Sequence, residues 1–153
     1  MTLWIDGDGC PRQAKEICFR VAQRGRAQVT LVANREVMVP RHANIRTVVV
    51  ARGLDVADDW LVAHAAAGDL VVTSDVPLAA ELVAKGAEVV SPRGDLFDAR
   101  NIGEKLSMRD FFTEARASGM IEGGGPPPYD ERAVRKFADA VNAWVGRAER
   151  RRG

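Results

Sequence analysis

Five aspartates stand at the ends of apolar segments or at the start of a helical segment, and their oxygens suit divalent-metal chemistry. Asp6 and Asp8 lie in the turn Asp6-Gly-Asp8-Gly, Asp75 ends the run Thr-Ser-Asp75, and Asp58 and Asp59 are adjacent. Mg²⁺ and Mn²⁺ take hard oxygen ligands, usually one or two carboxylates with retained waters. Such an ion activates water and neutralises charge on a phosphodiester. We therefore predict all five aspartates as metal ligands, and all except Asp8 as catalytic residues.

Each of these aspartates also has a structural interpretation. Asp and Gly are common turn formers, so an Asx hydrogen bond is enough to explain the Asp6-Gly-Asp8-Gly turn. Asp58 and Asp59 suit the positive end of a helix dipole, and Asp75 suits a helix cap before Pro77. Carboxylates packed together repel unless a cation or a proton neutralises them. Because acids from three segments are predicted to meet at one edge of a sheet, we favour a functional site for the set.

Basic and hydroxyl side chains near the aspartates are predicted to bind a substrate. Arg12 and Lys15 follow the first acidic turn, and Arg93 follows a later strand end, so each can meet a phosphate. The hydroxyls of Thr73 and Ser74 can orient a carboxylate or a water. A plain surface charge or strand-end cap is the structural alternative for each of these residues.

These side chains need a scaffold, and apolar runs of strand length alternate with helical segments through residues 1–99. Five runs are predicted as strands: Thr2–Asp6, Gln28–Ala33, Ile45–Ala51, Leu70–Ser74 and Ala87–Ser91. Their continuous apolar character is typical of strands covered on both faces of a parallel sheet. Helices are predicted after Pro11, from Asp55 to about Ala67, and from Pro77 to Lys85. This alternation predicts a three-layer α/β fold with a mainly parallel sheet, in which sites lie beyond the carboxyl ends of the strands.

The rest of the chain is predicted to be helical on both sides of a linker, and all 153 residues are expected to form one domain. Residues 100–122 are expected to cover the sheet through Ile102, Leu106, Met108, Phe111 and Phe112. Residues 123–129 form a Gly/Pro-rich linker. Residues 130–153 are predicted as a docked C-terminal helix with a frayed Arg-rich end, and its apolar stripe is Val134, Phe137, Val141, Trp144 and Val145.

The composition is typical of a soluble globular protein, with 46% hydrophobic and 28% charged residues. A net charge of +1 excludes a polybasic nucleic-acid binder. Residues 130–153 carry seven Lys/Arg against four Asp/Glu, which is compatible with an anionic polymer partner or with a solvated helix. We expect no signal peptide, no membrane partner, and reduced thiols at Cys10 and Cys18, hence a cytoplasmic protein. Cys10 is predicted at a helix N-terminus, which lowers a thiol's pKa, but no histidine lies near it in sequence. The oligomeric state is left open.

Several motifs together resemble the YaiI/YqxD family of uncharacterised bacterial proteins. They are Asp6-Gly-Asp8-Gly-Cys10-Pro11, Gly53-Leu-Asp55-Val-Ala-Asp58-Asp59, Thr73-Ser-Asp75-Val-Pro77-Leu-Ala, Lys85-Gly86-Ala87 and Pro92-Arg93-Gly94. Gly125-Pro126 and the helix with Arg135 and Phe137 extend the likeness to nearly the whole chain. The usual motif has alanine where this chain has Gly7 and Gly9, and the acids are unchanged.

The resemblance implies a PIN-like fold. PIN nucleases are similar in placing an Asp at the end of the first strand, an acid on a middle helix and a Thr/Ser-x-Asp at a later strand end. These places match Asp6, Asp58 or Asp59, and Thr73 with Asp75. The resemblance thus implies a nuclease or phosphodiesterase that uses Mg²⁺ or Mn²⁺ and acts on RNA. Because a fold can host unrelated chemistry, two alternatives stay open. One is a non-catalytic RNA- or protein-binding module. The other is a haloacid-dehalogenase-type phosphatase, because Asp6-Gly-Asp8 in this chain superficially matches the nucleophile and acid pair of such enzymes.

Overall fold

Strands and helices alternate along most of the chain, as the apolar runs predict. The structure, a computed structural model, describes residues 1–119 and 128–152. The strands of this part are β1 (Thr2–Asp6), β2 (Gln28–Ala33), β3 (Ile45–Val49), β4 (Leu70–Val72), β5 (Glu88–Val90) and β6 (Leu96–Phe97). Its helices are α1 (Arg12–Gln23), α2 (Val56–His64), α3 (Val76–Lys85), α4 (Ile102–Ala117) and α5 (Glu131–Arg152). In the described ranges no helix has the length and apolar character needed to cross a membrane.

The sheet order is β3-β2-β1-β4-β5-β6, and every pair is parallel except β5 with β6. From β1 the chain builds outwards through β2 and β3, then returns to place β4 and β5 on the other side of β1. The gap between the carboxyl ends of β1 and β4 is therefore a topological switch point, where α/β folds bind ligands. In register, Ile5 of β1 pairs with Val72 of β4, so the residues that follow both strands are neighbours.

Side chains of each strand alternate between two apolar layers, because successive residues point to opposite faces of a sheet. Leu3 and Ile5 face the layer of α1 and α5, whereas Trp4 faces the layer of α2 and α3. Phe137 and Trp144 of α5 are fully buried in the first layer. The predicted three-layer α/β fold, its mainly parallel sheet and its docked C-terminal helix are confirmed.

Helix α5 extends to Arg152, so the prediction of a frayed Arg-rich end is wrong. Arg147 Nη2 donates to Glu88 Oε1 at 2.7 Å, and Arg151 Nη2 donates to Glu88 Oε2 at 3.2 Å. Both ion pairs join the last turns of the helix to β5. The middle of α5 also approaches the turn before β6 closely, since a Cβ at Gly94 would lie 2.6 Å from the Lys136 carbonyl carbon.

Several predicted boundaries differ from the observed ones. Strand β3 ends at Val49 and lies at the sheet edge, where Arg46 and Thr47 are exposed. Its side chains are therefore not covered on both faces as predicted, since Val49 is also exposed and Val48 is only partly buried. Helix α2 ends at His64 instead of Ala67. The two-residue strand β6 was not predicted, since a run this short carries no periodicity.

Of the residues predicted to cover the sheet, Ile102 packs against the apolar layer of α2 and α3, and the cover by residues 100–122 as a whole stays a prediction. Helix α4 packs against α3 and leaves Met108 48%, Phe111 58% and Phe112 40% exposed. Apolar residues of α2 and α3 already pack on that face of the sheet. Residues 120–127 lie outside the described part, and with them most of the predicted linker 123–129. The assignment of all 153 residues to one domain stays a prediction.

Candidate functional site

A threonine hydroxyl joins the ends of the two central strands. Asp6 is the last residue of β1, and Thr73 follows β4 directly. Thr73 Oγ1 donates to Asp6 Oδ2 at 2.8 Å and accepts from the Asp75 backbone N–H at 3.1 Å. Thr73 is only 2% exposed, so this pair of bonds is held in a fixed arrangement. Asp6 and Asp75 are thus brought to one place at the switch point.

Asp75 serves as the N-cap of α3. Its Oδ1 accepts from the Leu78 backbone N–H at 3.0 Å, and Pro77 stands in the first turn, as capped helices prefer. The structural interpretation of Asp75 is therefore confirmed. The cap uses one carboxylate oxygen and leaves the rest of the group facing a cleft of about 340 Å³ that Asp6 and Asp8 also line.

Asp58 approaches this pair from the first turn of α2. Its carboxyl group shares a hydrogen bond with Asp75. Its pKa is raised to about 7, first by partial burial and then by the negative charges of Asp75 and Asp6. Asp59, the next residue of the helix, is exposed and lines an outer cleft beside Asp58 and Asp75. Asp58 is therefore the one of the two that meets Asp75, because successive helix residues point about 100° apart. Which of the two has a functional role stays a prediction.

The pKa of Asp6 is raised to about 6. Burial is the main cause, the Thr73 hydrogen bond opposes it, and the charges of Asp8 and Asp75 add to it. Asp8 is exposed, and its Oδ2 accepts from the Asn34 backbone N–H at 3.2 Å, which ties the β1 turn to the end of β2. Among the residues that the structure describes, no ion pair neutralises these carboxylates.

The carboxylate oxygens of Asp6 and Asp75 are the donors that Mg²⁺ and Mn²⁺ take, and one or two carboxylates with waters are sufficient. Within residues 1–119 and 128–152, no three Asp, Glu, His or Cys side chains are grouped so that they could hold a metal ion. Thr73 and Leu78 already bind one oxygen of each of the two aspartates. The donor set therefore fits a largely hydrated ion at Asp6 and Asp75, and the five-aspartate ligand set stays a prediction.

The comparison with protein families bears on the same residues. The family described as "Uncharacterized BCR, YaiI/YqxD family" matches residues 4–147, which include all five aspartates. The chain belongs to the YaiI/YqxD family. A UPF0178 protein of Geobacter sulfurreducens is 50% identical over 99% of this chain and 100% of its own length. A UPF0178 protein of Bordetella bronchiseptica is 49% identical over 100% of this chain and 95% of its own. The one from Cellvibrio japonicus is 45% identical over 96% of this chain and 97% of its own.

The predicted resemblance to the YaiI/YqxD family is therefore confirmed over nearly the full chain. No solved structure gives a match. The likeness to PIN domains and the chemistry that it implies stay predictions.

The substrate-binding residues predicted for this member of the family lie on different sides of the cleft. Arg12 is exposed, and its Nε donates to Glu16 Oε1 at 3.0 Å. Lys15 lies close enough to Cys10, a residue of the cleft wall, to act on its pKa. Ser74 is exposed and lines the cleft.

Arg93 lies further round, where its guanidinium is 5.8 Å from the centroid of the Tyr129 ring and Nη1 donates to the Pro128 carbonyl at 3.4 Å. Their roles as substrate ligands stay predictions.

Cys10 does not have the lowered pKa expected at a helix N-terminus. The pKa of its thiol is raised to about 12, chiefly by burial, while the charge of Lys15 lowers it and the charge of Asp6 raises it. Helix α1 begins two residues later, at Arg12. A thiol in this state is a poor nucleophile, since the thiolate is the reactive form.

Helix α4 carries two basic residues near the site, Lys105 and Arg109, which were not predicted from the sequence. Arg109 lines the outer cleft with Asp58 and Asp75, and Lys105 stands one turn earlier on α4. Lys105 and Arg109 are four residues apart, as are Met108 and Phe112, so the sequence already places each pair one helical turn apart. The sequence predicts Met108 and Phe112 as residues that cover the sheet, because apolar residues at helical spacing are usually buried.

Asp69 is a purely structural carboxylate and differs from the acids of the candidate site. It lies at the opposite, amino edge of the sheet and is 6% exposed. Its side chain accepts from the Thr2 N–H at 3.1 Å, from Trp4 Nε1 at 2.9 Å and from the Ala66 N–H at 3.0 Å. Three donors compensate its burial, whereas Asp6 and Asp58 face other acids.

Proposed function

We propose that this member of the YaiI/YqxD family is a divalent-metal-dependent nuclease or phosphodiesterase that acts on RNA. The observation that carries the proposal is the meeting of Asp6, Asp75 and Asp58 at the switch point of the sheet. Three separate segments supply these carboxyl groups. Perturbed pKa values at such a convergence are characteristic of functional sites.

The repulsion among these acids must be offset by a proton or by a cation. Below about pH 6 the raised pKa values of Asp6 and Asp58 allow protons to do so. Above neutral pH the protons leave, and a hard cation becomes the natural counter-charge. Asp6 and Asp75 would hold it, Thr73 orients Asp6, and Asp58 carries the neighbouring charge. A bound Mg²⁺ or Mn²⁺ supplies water activation and neutralisation of the phosphodiester charge.

RNA is the substrate class that the resemblance to PIN nucleases implies, and the charges around the cleft support a polyanion. Arg109 lines the outer cleft with Asp58 and Asp75. Lys15 lies near Cys10 of the cleft that contains Asp6, and Arg93 shares a groove with Ser74. A phosphodiester needs this combination, because acids hold the cation while basic side chains hold flanking phosphates.

The proposal is tested by incubating the purified protein with end-labelled single-stranded RNA in EDTA, Mg²⁺ or Mn²⁺ at pH 7.5. We expect metal-dependent cleavage that falls by about 100-fold or more in Asp6→Asn and in Asp75→Asn, the scale on which removal of a preorganised electrostatic group acts. Asp139→Asn, which removes an exposed acid from α5, is the matched control and is expected to keep full activity. Cleavage that survives Asp6→Asn in parallel preparations, or no cleavage with either metal, contradicts the proposal.

Two alternatives from the sequence stay predictions and have different outcomes in related assays. A non-catalytic RNA-binding module binds RNA without metal and with an affinity that falls steeply with salt. A haloacid-dehalogenase-type phosphatase forms a covalent intermediate on its nucleophile, so beryllofluoride trapping on Asp6 would support it. Asp8, its expected acid, is bound to the Asn34 N–H.

A further inference from the structure

A groove of about 700 Å³ lies between α4 and the β5–β6 edge of the sheet, and we call it the α4 groove. Ser74 lines both this groove and the cleft formed by Asp6, Asp8 and Asp75, which we call the aspartate cleft. Arg109 lines both this groove and the outer cleft that contains Asp58 and Asp75. The α4 groove thus borders the candidate site at two points, so that a chain molecule lying in it could extend to the carboxylates.

Large apolar side chains form one wall of the α4 groove and remain open to solvent. Phe112 is 40% exposed and Met108 is 48% exposed, one helical turn apart on α4, while Phe97 lies at the base. Exposed aromatic and methionine side chains in a concave surface mark a binding site. The flat face of a phenylalanine stacks on any nucleobase.

Positive side chains line the same groove. Lys105 Nζ stands 5.2 Å from the centroid of the Phe97 ring, Arg109 is exposed on the next turn, and Arg93 lies opposite. Arg109 pairs with Asp110 at 3.3 Å, but a pair this exposed is weak and exchanges readily for a phosphate.

Two acids, Asp95 and Glu104, also line the α4 groove. Lys136 Nζ donates to Asp95 Oδ1 at 2.6 Å, and this pair is exposed like the pair of Arg109 with Asp110. The three cations that line the groove, Arg93, Lys105 and Arg109, outnumber its two acids by one. The groove keeps a positive balance, which complements a phosphate backbone.

We propose that the α4 groove binds the unpaired nucleotides of a single-stranded RNA beside the scissile phosphate. Phe112 and Met108 contact the bases, and Lys105 and Arg109 contact the phosphates. The inference rests on the proposed function, whose substrate it narrows from RNA to single strands. A duplex cannot use the groove, because its bases are stacked inside the helix and cannot reach an aromatic wall. The groove volume is in the range of ligand sites and has room for roughly one or two nucleotides.

The test measures binding separately from cleavage, by fluorescence anisotropy of a labelled short oligouridine in EDTA. Phe112→Ala is expected to weaken binding by about 5- to 150-fold, the range for one base stacked on an aromatic side chain. Phe112→Trp keeps a stacking face and is expected to retain binding. Phe111→Ala is the matched control, and it is expected to weaken binding by less than Phe112→Ala does, because the Phe111 ring meets the Phe112 ring only edge-on, with centroids 5.5 Å apart. Phe111 is adjacent on α4 and more exposed, but it lines a different cavity with Glu114 and Ser118.

A second arm tests the phosphate contacts. Arg109→Gln is expected to reduce the slope of log affinity against log salt by about 0.7, the value for one phosphate contact on a single strand. Arg20→Gln, at an exposed position of α1, is expected to leave the slope unchanged.

Three results overturn the α4 groove as a single-strand site. Equal losses in Phe111→Ala and Phe112→Ala indicate a general disturbance of α4. Duplex RNA bound as tightly as the single strand excludes base stacking. Self-association in sedimentation velocity that Phe112→Ala abolishes, without RNA binding, identifies the groove as an interface between copies of this chain.

The two proposals fail separately. Binding that depends on Phe112 without cleavage in any metal removes the nuclease and leaves the α4 groove. Cleavage that depends on Asp6 but not on Phe112 supports the nuclease and removes the α4 groove as a binding site.

Discussion

Replacing Asp6 by asparagine is expected to stabilise the metal-free protein at alkaline pH. Asp6 is partly buried at the end of β1, and the charges of Asp8 and Asp75 oppose its ionisation. Asparagine has nearly the same shape, and its Oδ1 can still accept the Thr73 hydroxyl. The substitution therefore removes an unfavourable charge with little loss of packing.

The expected size of the effect follows from linkage. The pKa of Asp6 is raised from 3.8 to about 6, so the folded protein binds this proton more tightly than the unfolded chain does. The folded protein therefore loses stability as pH rises from about 4 to about 6, and it does not regain this stability at higher pH. At 1.36 kcal/mol per pKa unit the cost reaches about 3 kcal/mol at pH 8 and about 1 kcal/mol at pH 4.5. Residual solvation of the carboxylate reduces the difference of about 2 kcal/mol to roughly 1–2 kcal/mol.

The assay is urea unfolding in EDTA at pH 4.5 and pH 8, followed by the fluorescence of the buried Trp4 and Trp144. We expect the stability of Asp6→Asn relative to the unsubstituted protein to rise by roughly 1–2 kcal/mol between the two pH values. In thermal unfolding this corresponds to about 2–8 °C. Asp139→Asn, which removes an exposed charge from α5, is expected to show no such rise.

A stability difference that is the same at both pH values, or that falls towards pH 8, would refute the reasoning. The first result means that the Asp6 carboxylate is not destabilised in the folded protein. The second means that a positive group neutralises it, which also removes the physical basis of the proposed metal site.

Three further outcomes are expected. Mn²⁺ should raise the melting temperature more at pH 8 than at pH 5.5, since protons on Asp6 and Asp58, with pKa values of about 6 and about 7, must leave before a metal binds; equal shifts contradict this. Ellman's reagent should modify Cys10 far more slowly in the folded than in the urea-unfolded protein at pH 8, because its pKa is about 12; a rapid burst from the folded state contradicts it. Gly94→Ala should destabilise the fold by about 2–4 kcal/mol in urea unfolding, because Gly94 has a positive φ of 85° and contacts the α5 backbone. Gly103→Ala is the control and should be neutral or stabilising in the same titration, because open space surrounds Gly103 on α4.

The amino-acid sequence determined the elements and the identity of the reactive groups. Apolar runs of five or six residues between turn formers are enough to define strands such as Thr2–Asp6 and Gln28–Ala33, whose predicted bounds the structure reproduces. The aspartates at strand ends were also visible, because a polar residue that interrupts an apolar run marks the point where the chain leaves the sheet. Local pattern carries this information, since it depends only on neighbours along the chain.

Only the tertiary structure decided which groups meet and in which state. No local signal states that β4 lies beside β1, so the bond between Asp6 and Thr73, 67 residues apart, depends on strand order. The contact of Asp58 with Asp75 depends on how α2 is rotated against the sheet, and the raised pKa values depend on burial among other acids. The exposure of Phe112 has the same origin, because α2 and α3 already pack on the sheet face that an isolated apolar stripe would seek. Periodicity defines a face of an element, whereas its neighbours are set by the packing of the whole chain.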